Sequence, residues 1–211
     1  MALTKVRGSG LGTLGDGTAN DTAIVFDGNA QDFHIGLDDS TDSLTIGLGS
    51  ALGTTSHMVF DANGHITKPL QPSFLVHKNA NQTNFALNQV VDVVYQVEIF
   101  DVNGDISSNT FTAPVTGKYL LGANLILGQP QTDAAYIEAR IETSNRNYSM
   151  SLNDYDFGDQ ITVYWTINGT FVCDMDAGDT AVVRVNQSGG TQATDIYSSS
   201  EGTLFFGSLL S

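Results

Sequence analysis

Ala134-Ala135-Tyr136-Ile137-Glu138-Ala139-Arg140-Ile141-Glu142 is the stretch whose reading decides the fold class. Its Ala, Glu and Arg content suits a helix. The same residues put Ile137, Ala139 and Ile141 on one side and Glu138, Arg140 and Glu142 on the other, which is the period of a half-buried strand. Every neighbouring segment is strand-like. Val91, Val93, Tyr95, Val97 and Ile99 alternate, and so do Ile161, Val163, Trp165 and Ile167. Tyr119 to Leu127 is nearly continuously apolar, and Phe171 to Met175, Ala181 to Val185 and Leu204 to Leu210 add further runs. The stretch is therefore read as a strand. About seven or eight strands without a convincing helix predict a β-sandwich over residues 71–211.

Upstream, the chain changes character. Half of its 22 glycines precede residue 71, and all four prolines lie at or beyond Pro69. A boundary is placed at Lys68-Pro69-Leu70-Gln71-Pro72, where two prolines stiffen the backbone. Residues 1–20 are read as a flexible anchoring segment, Gly/Ser/Thr/Leu-rich at the start and without periodicity. From Thr22 come short runs, Ala23–Phe26, Asp32–Leu37, Ser43–Leu48 and His57–Phe60, separated by turns such as Asp27-Gly28 and Asn63-Gly64. Each offers so few large apolar side chains that residues 21–70 are expected to form a β shaft needing partner chains.

The chain has 211 residues, with 8 basic against 23 acidic side chains and a net charge of −15. Scattered basic residues cannot neutralise a phosphate backbone, so nucleic acid is excluded as a partner, and anionic membrane surfaces are disfavoured. No apolar run is long enough to span a bilayer as a helix. Met1 to Asn20 lacks the apolar core of a signal peptide. A single cysteine, Cys173, rules out an intrachain disulfide and reads as a small buried apolar residue.

Two strands break the inside/outside rule. Leu204-Phe205-Phe206 with Leu209-Leu210, and Leu120-Leu121 through Leu125-Ile126-Leu127, are apolar on both faces. An antiparallel sandwich normally leaves one face of each sheet to water. With no helix to supply another layer, a second copy of the same sheet is the expected cover, so Leu120, Leu204, Phe205, Phe206, Leu209 and Leu210 are assigned to a subunit interface. The alternative is that these strands sit centrally and their outward residues lie under loops.

Phe111-Thr112-Ala113-Pro114-Val115-Thr116-Gly117-Lys118-Tyr119 resembles the FTAPVxGxY signature of complement component 1q globular heads, relatives of the tumour-necrosis-factor jelly rolls. Val97 to Gly104, Asp176-Ala177-Gly178-Asp179-Thr180-Ala181-Val182 and Thr203 to Leu210 are similar to further landmarks of that family, in the same order. The resemblance covers about residues 72–211. It implies a ten-strand jelly roll assembled as a homotrimer, with the last strand near the axis. The animal members' Gly-X-Y collagen repeats are missing.

Asp21 to Ser50, reading DTAIVFDGNAQDFHIGLDDSTDSLTIGLGS, resembles repeats of marine bacteriophage structural proteins, a likeness that extends to about residue 66. The expectation is a virion fibre of the tail-fibre, receptor-binding type. Its partners would be other virion proteins at the N-terminal segment and a host glycan or outer-membrane protein at the head. A capsid head fibre or decoration protein is the alternative, and a glycan-cleaving tailspike a more distant one.

No nucleophile elbow, zinc helix or phosphate loop is present, so no catalytic residues are assigned. His57 and His65 flank one apparent hairpin, where a shared metal competes with ordinary polar contacts. Asp154, Asp156 and Asp159 gather the oxygens a calcium ion wants, although a solvated acidic loop is the default reading. Antiparallel connectivity assigns the loops near 79–89, 143–160 and 186–200 to the distal apex, and those near 101–105, 128–133 and 174–179 to the shaft side. The apex set comprises Asn145, Arg146, Asn147, Tyr148, Asp154, Tyr155, Asp156, Gln187, Ser188, Thr191 and Gln192, a polar and aromatic mixture suited to recognition.

Overall fold

The computed structural model describes residues 14–130, 133–153 and 164–211, all of them strand, turn or irregular, with no helix among them. The chain divides into two compact units, Met1–Gln71 and Pro72–Ser211.

The first unit is a meander of β1 (Thr22–Phe26), β2 (Phe33–Asp38), β3 (Ser43–Leu48), β4 (Ser56–Phe60) and β5 (Ile66–Thr67), each antiparallel to the next. The register lines up Ile24, Ile35, Ile46 and Met58 across the sheet, with Phe26, Phe33 and Leu48 on one flank and Leu37, Leu44, Phe60 and Ile66 on the other. Side chains alternate, so these apolar residues share one face. The opposite face carries His34, Asp38, Ser43 and Thr45, and it is this polar face that is buried.

The segment between β3 and β4 folds back over it. Thr55 O accepts from Leu48 N (2.9 Å), and Gly49 O accepts from His34 Nδ1 (2.9 Å). Gly47 makes the approach feasible: a Cβ there would stand 2.7 Å from His34 Nε2 and strike the Thr55 carbonyl.

The second unit is a two-sheet sandwich. Its strands are β6 (Ser73–Lys78), β7 (Val91–Asp92), β8 (Val97–Asp101), β9 (Ile106–Ser107), β10 (Thr110–Thr112), β11 (Gly117–Gly128), β12 (Ala134–Thr143), β13 (Asn147–Asn153), β14 (Tyr164–Met175), β15 (Thr180–Gly189), β16 (Asp195–Ile196) and β17 (Ser199–Leu209). The front sheet runs β14-β11-β17-β6-β8, with β16 paired to β11. The back sheet runs β13-β12-β15-β10-β9, with β7 paired to β15. Setting aside β7 and β16, which lie off the main path of each sheet, ten strands form two five-stranded layers.

Tyr119, Leu121, Ala123, Leu125 and Leu127 of β11 point inward against Ile137, Ala139 and Ile141 of β12 and Ala181, Val183 and Val185 of β15. At ~1.5–3 kcal/mol for each fully buried large side chain, this single core holds the unit. The Phe111 to Tyr119 signature is part of it. Phe111 stacks on Phe74 (centroids 4.8 Å) and meets Tyr119 edge-on (5.4 Å), while the Tyr119 hydroxyl donates to Val115 O (2.7 Å) and closes the Pro114–Thr116 turn.

Two readings need correction. The alternating run from Val91 to Ile99 is not one strand. Val93 N still donates to Val183 O (2.9 Å) of the back sheet, but Gln96 N donates to His77 O (3.2 Å) of the front sheet, so the chain changes layers between them. Alternation fixes which side a residue faces, not which strand it pairs with. Residues 143–160 are likewise not one loop, because Tyr148, Met150 and Leu152 alternate within β13.

Candidate functional site

Two surfaces of the jelly roll stand out. The first is the outward face of the front sheet. Along β11 the outward residues are Lys118, Leu120, Gly122, Asn124, Ile126 and Gly128, and register sets Leu120 beside Val172 and Ser208, Gly122 beside Phe206, and Asn124 beside Leu204. Phe206 and Leu204 continue to Leu75 and His77, and Leu75 to Phe100.

Glycine shapes this face. A Cβ on Gly122 would overlap the Phe206 ring, so its absence lets the ring lie flat across β11. Gly128 does the same for Tyr197, whose ring meets Tyr164 edge-on at 4.9 Å. Lys118 sits opposite Asp174 at the β11 start, and Glu98 is exposed on the edge strand β8.

The back sheet presents the opposite character. Arg140 bridges Glu138 (3.4 Å) and Glu142 (2.8 Å), and Arg184 pairs with Asp92 (2.7 Å) and with Glu142. Pairing with Asp92, then Glu142, holds the Arg184 guanidinium above its ordinary pKa. This face is built for water.

Of the six residues assigned to a subunit interface, Leu120, Leu204 and Phe206 face outward and are partly exposed. Leu210 is 48% exposed at the strand end, and Leu209 packs against the edge of the core. Phe205 is a correction: it is 0% exposed, wedged against Phe74 (4.9 Å) and Tyr95 (6.0 Å) inside the sandwich, because its neighbours in alternation take the outside.

The second surface is the loop end opposite Pro72, where residues 79–92 and 186–198 meet Asp133. Asn88 Oδ1 accepts from Gly189 N (2.9 Å), Asp195 Oδ1 from Asn84 N (2.7 Å), Asn81 Oδ1 from Ser198 N (2.8 Å) and Asp133 Oδ2 from Thr191 N (3.0 Å). Beneath them lies Lys78, buried, whose ammonium donates to Val94 O (2.8 Å) and Gln82 Oε1 (3.3 Å). Burial lowers its pKa. Such a network presents the loops pre-ordered.

The predicted apex set divides. Ser188, Thr191 and Gln192 lie at this end, with Thr191 and Gln192 exposed. Gln187 is 0% exposed, its Nε2 donating to Gly189 O (3.1 Å) and Gln192 O (2.9 Å) and its Oε1 accepting from Thr194 N (3.0 Å), so it braces the loop and cannot touch a ligand.

Asn145, Arg146, Asn147 and Tyr148 are at the opposite end, since β13 adds a chain reversal. Asn145 Nδ2 donates to Asp174 O (3.0 Å) and Asp179 Oδ2 (2.9 Å), and Arg146 pairs with Asp174 (2.8 Å). Tyr148 packs on Phe171 (5.3 Å), and its hydroxyl is pushed up to about 12, mainly by burial. Asp133, assigned with the shaft-side loops, instead joins the 186–198 end. Asp154, Tyr155, Asp156 and Asp159, with the calcium reading they carried, lie outside the described residues.

Among the described residues no group of three or more His, Cys, Asp or Glu side chains is placed to hold a metal. The histidines go separate ways: His57 lies edge-on to Phe33 (6.0 Å), His65 bonds Asp61 (2.7 Å), and His77 bonds Lys78 O (3.3 Å). The Tyr164–Tyr197 pair escaped the sequence reading because it joins residues far apart in the chain, and the glycine that seats it, Gly128, carries no signal of its own.

No known family pattern matches this chain, and no curated protein does. Solved structures with a similar fold include the globular domain of zebrafish complement 1qA, with a TM-score of 0.49 and 16% identity over 67% of this chain and 98% of that one. Murine APRIL gives 0.48 and 12% over 66% and 99%. The Eiger TNF of S. frugiperda gives 0.47 and 10% over 67% and 94%. The likeness is one of fold alone.

Proposed function

We propose that this chain is a bacteriophage virion fibre protein that works as a homotrimer, with the jelly roll as its head. The loops opposite Pro72 attach to a host glycan or outer-membrane protein, and residues 1–20 engage other virion proteins. The observation that carries the assembly is the contrast between the two outward faces: a charge ladder on the back sheet, and an uncharged centre of Leu120, Leu204, Phe206 and Leu75 on the front sheet. An outward face of that kind favours a copy of itself over water. Three pre-ordered loop clusters on one head then give avidity that a single weak site lacks, provided the ligand is repeated on the cell surface.

The phage context itself is supported by the resemblance of Asp21–Ser50 to phage structural repeats. Antibody fragments raised against residues 72–211 and imaged on particles test it, together with competition by the purified chain for phage adsorption. Labelling at the tail and reduced adsorption are expected. Labelling spread over the capsid lattice would replace attachment with a head-fibre or decoration role, and degradation of host polysaccharide by the purified chain would overturn the binding reading.

A further inference from the structure

In the first unit the usual polarity of a β-sheet is reversed. The polar face is covered by the chain's own 49–55 segment, while Ile24, Phe26, Phe33, Leu37, Leu44 and Ile66 on the other face stand 41–60% exposed. Side chains of this size left half open amount to roughly 600 Å² of apolar surface, about the largest patch a monomer carries. The half-buried Ile35, Ile46 and Met58 between them bring the face towards the ~800 Å² per partner that a specific interface buries.

We infer that this face packs against the same face of other copies of the chain, making a second self-association surface. Two observations select a copy as the occupant. Every position of the face is uncharged, whereas the acidic residues Asp27, Asp32, Asp38, Asp39, Asp42 and Asp61 sit in turns, at strand ends or on the covered side. Copies of a chain of net charge −15 repel one another, and they meet at low cost only across a neutral surface. The face also suits itself in chemistry, Ile, Leu and Phe against the same set.

One supporting element rests on the trimeric reading of the head: because Pro72 follows Gln71 directly, copies joined through their jelly rolls hold their sheets at high local concentration.

The test uses the full chain in a Cys173→Ser background, with Leu37→Cys or Ile24→Cys on the face and Ala62→Cys in an exposed turn as the control. Both face positions are about half open in the single chain, so substitution leaves the core untouched. The face cysteines are expected to react with a soluble thiol reagent at least about tenfold more slowly than the control and to cross-link chain to chain on oxidation.

Labelling as fast as at Ala62→Cys, in protein that sediments as a trimer, would overturn this inference and leave the head interface standing. Face cysteines that stay protected and cross-link when Phe206→Asp has broken the head contact would uphold the inference independently of the head. A monomer with freely labelled face cysteines would remove both.

Discussion

Asp105 carries a poorly accommodated charge. Its Oδ2 is buried without a partner, and burial first, then the neighbouring Asp101 carboxylate, raises its pKa above the ordinary value, against a smaller lowering from the Asn103 side chain. A raised carboxyl pKa means the charged form destabilises the fold at neutral pH, and the penalty fades as pH falls through the folded pKa. Asp105→Asn is therefore expected to raise Tm at pH 7 by roughly 2–4 °C, about 1 kcal/mol, with the gain disappearing near pH 4. Thermal melts at the two pH values check it, and an equal gain at both would point to packing instead. Gln187 is a positioning residue of the opposite kind. Its three hydrogen bonds set the 189–194 loop, so Gln187→Ala is expected to cost about 2 kcal/mol and to increase amide exchange in that loop. Unchanged exchange there would mean that the loop holds itself.

At the scale of the element, the front sheet depends on Gly122. Any Cβ there displaces the Phe206 ring, so Gly122→Val should roughen the outward face while leaving the inward row of β11 intact. Phe206→Asp puts charge at its centre. Both are expected to raise the concentration at which copies dissociate, Phe206→Asp by about 100-fold, with sedimentation equilibrium as the measure. Strands such as β11, β12 and β17 were legible because apolar period and length agree over many residues. The outward character of Leu204 and Phe206 was legible too, since a strand greasy on both sides has few explanations. The inward side of Phe205 needed only strict alternation. The rest depended on partners: the layer change near Val93–Gln96 is set by which ladder each amide finds, and the end on which Asn145 lies depended on recognising β13 as a strand. One missed reversal moved four predicted residues to the wrong end of the sandwich.

For the whole molecule, a single inference supports the functional reading: the front sheet is finished only when other copies cover it. Attachment by repeated weak contacts, and the crowding of the N-terminal sheets, both follow from that cover. The direct measurement is the mass of the full chain in native solution across the micromolar range. A species near 67 kDa, three times the 22.4 kDa chain, is the predicted result. A chain that stays at 22.4 kDa throughout, with Phe206 free in solvent, would contradict it.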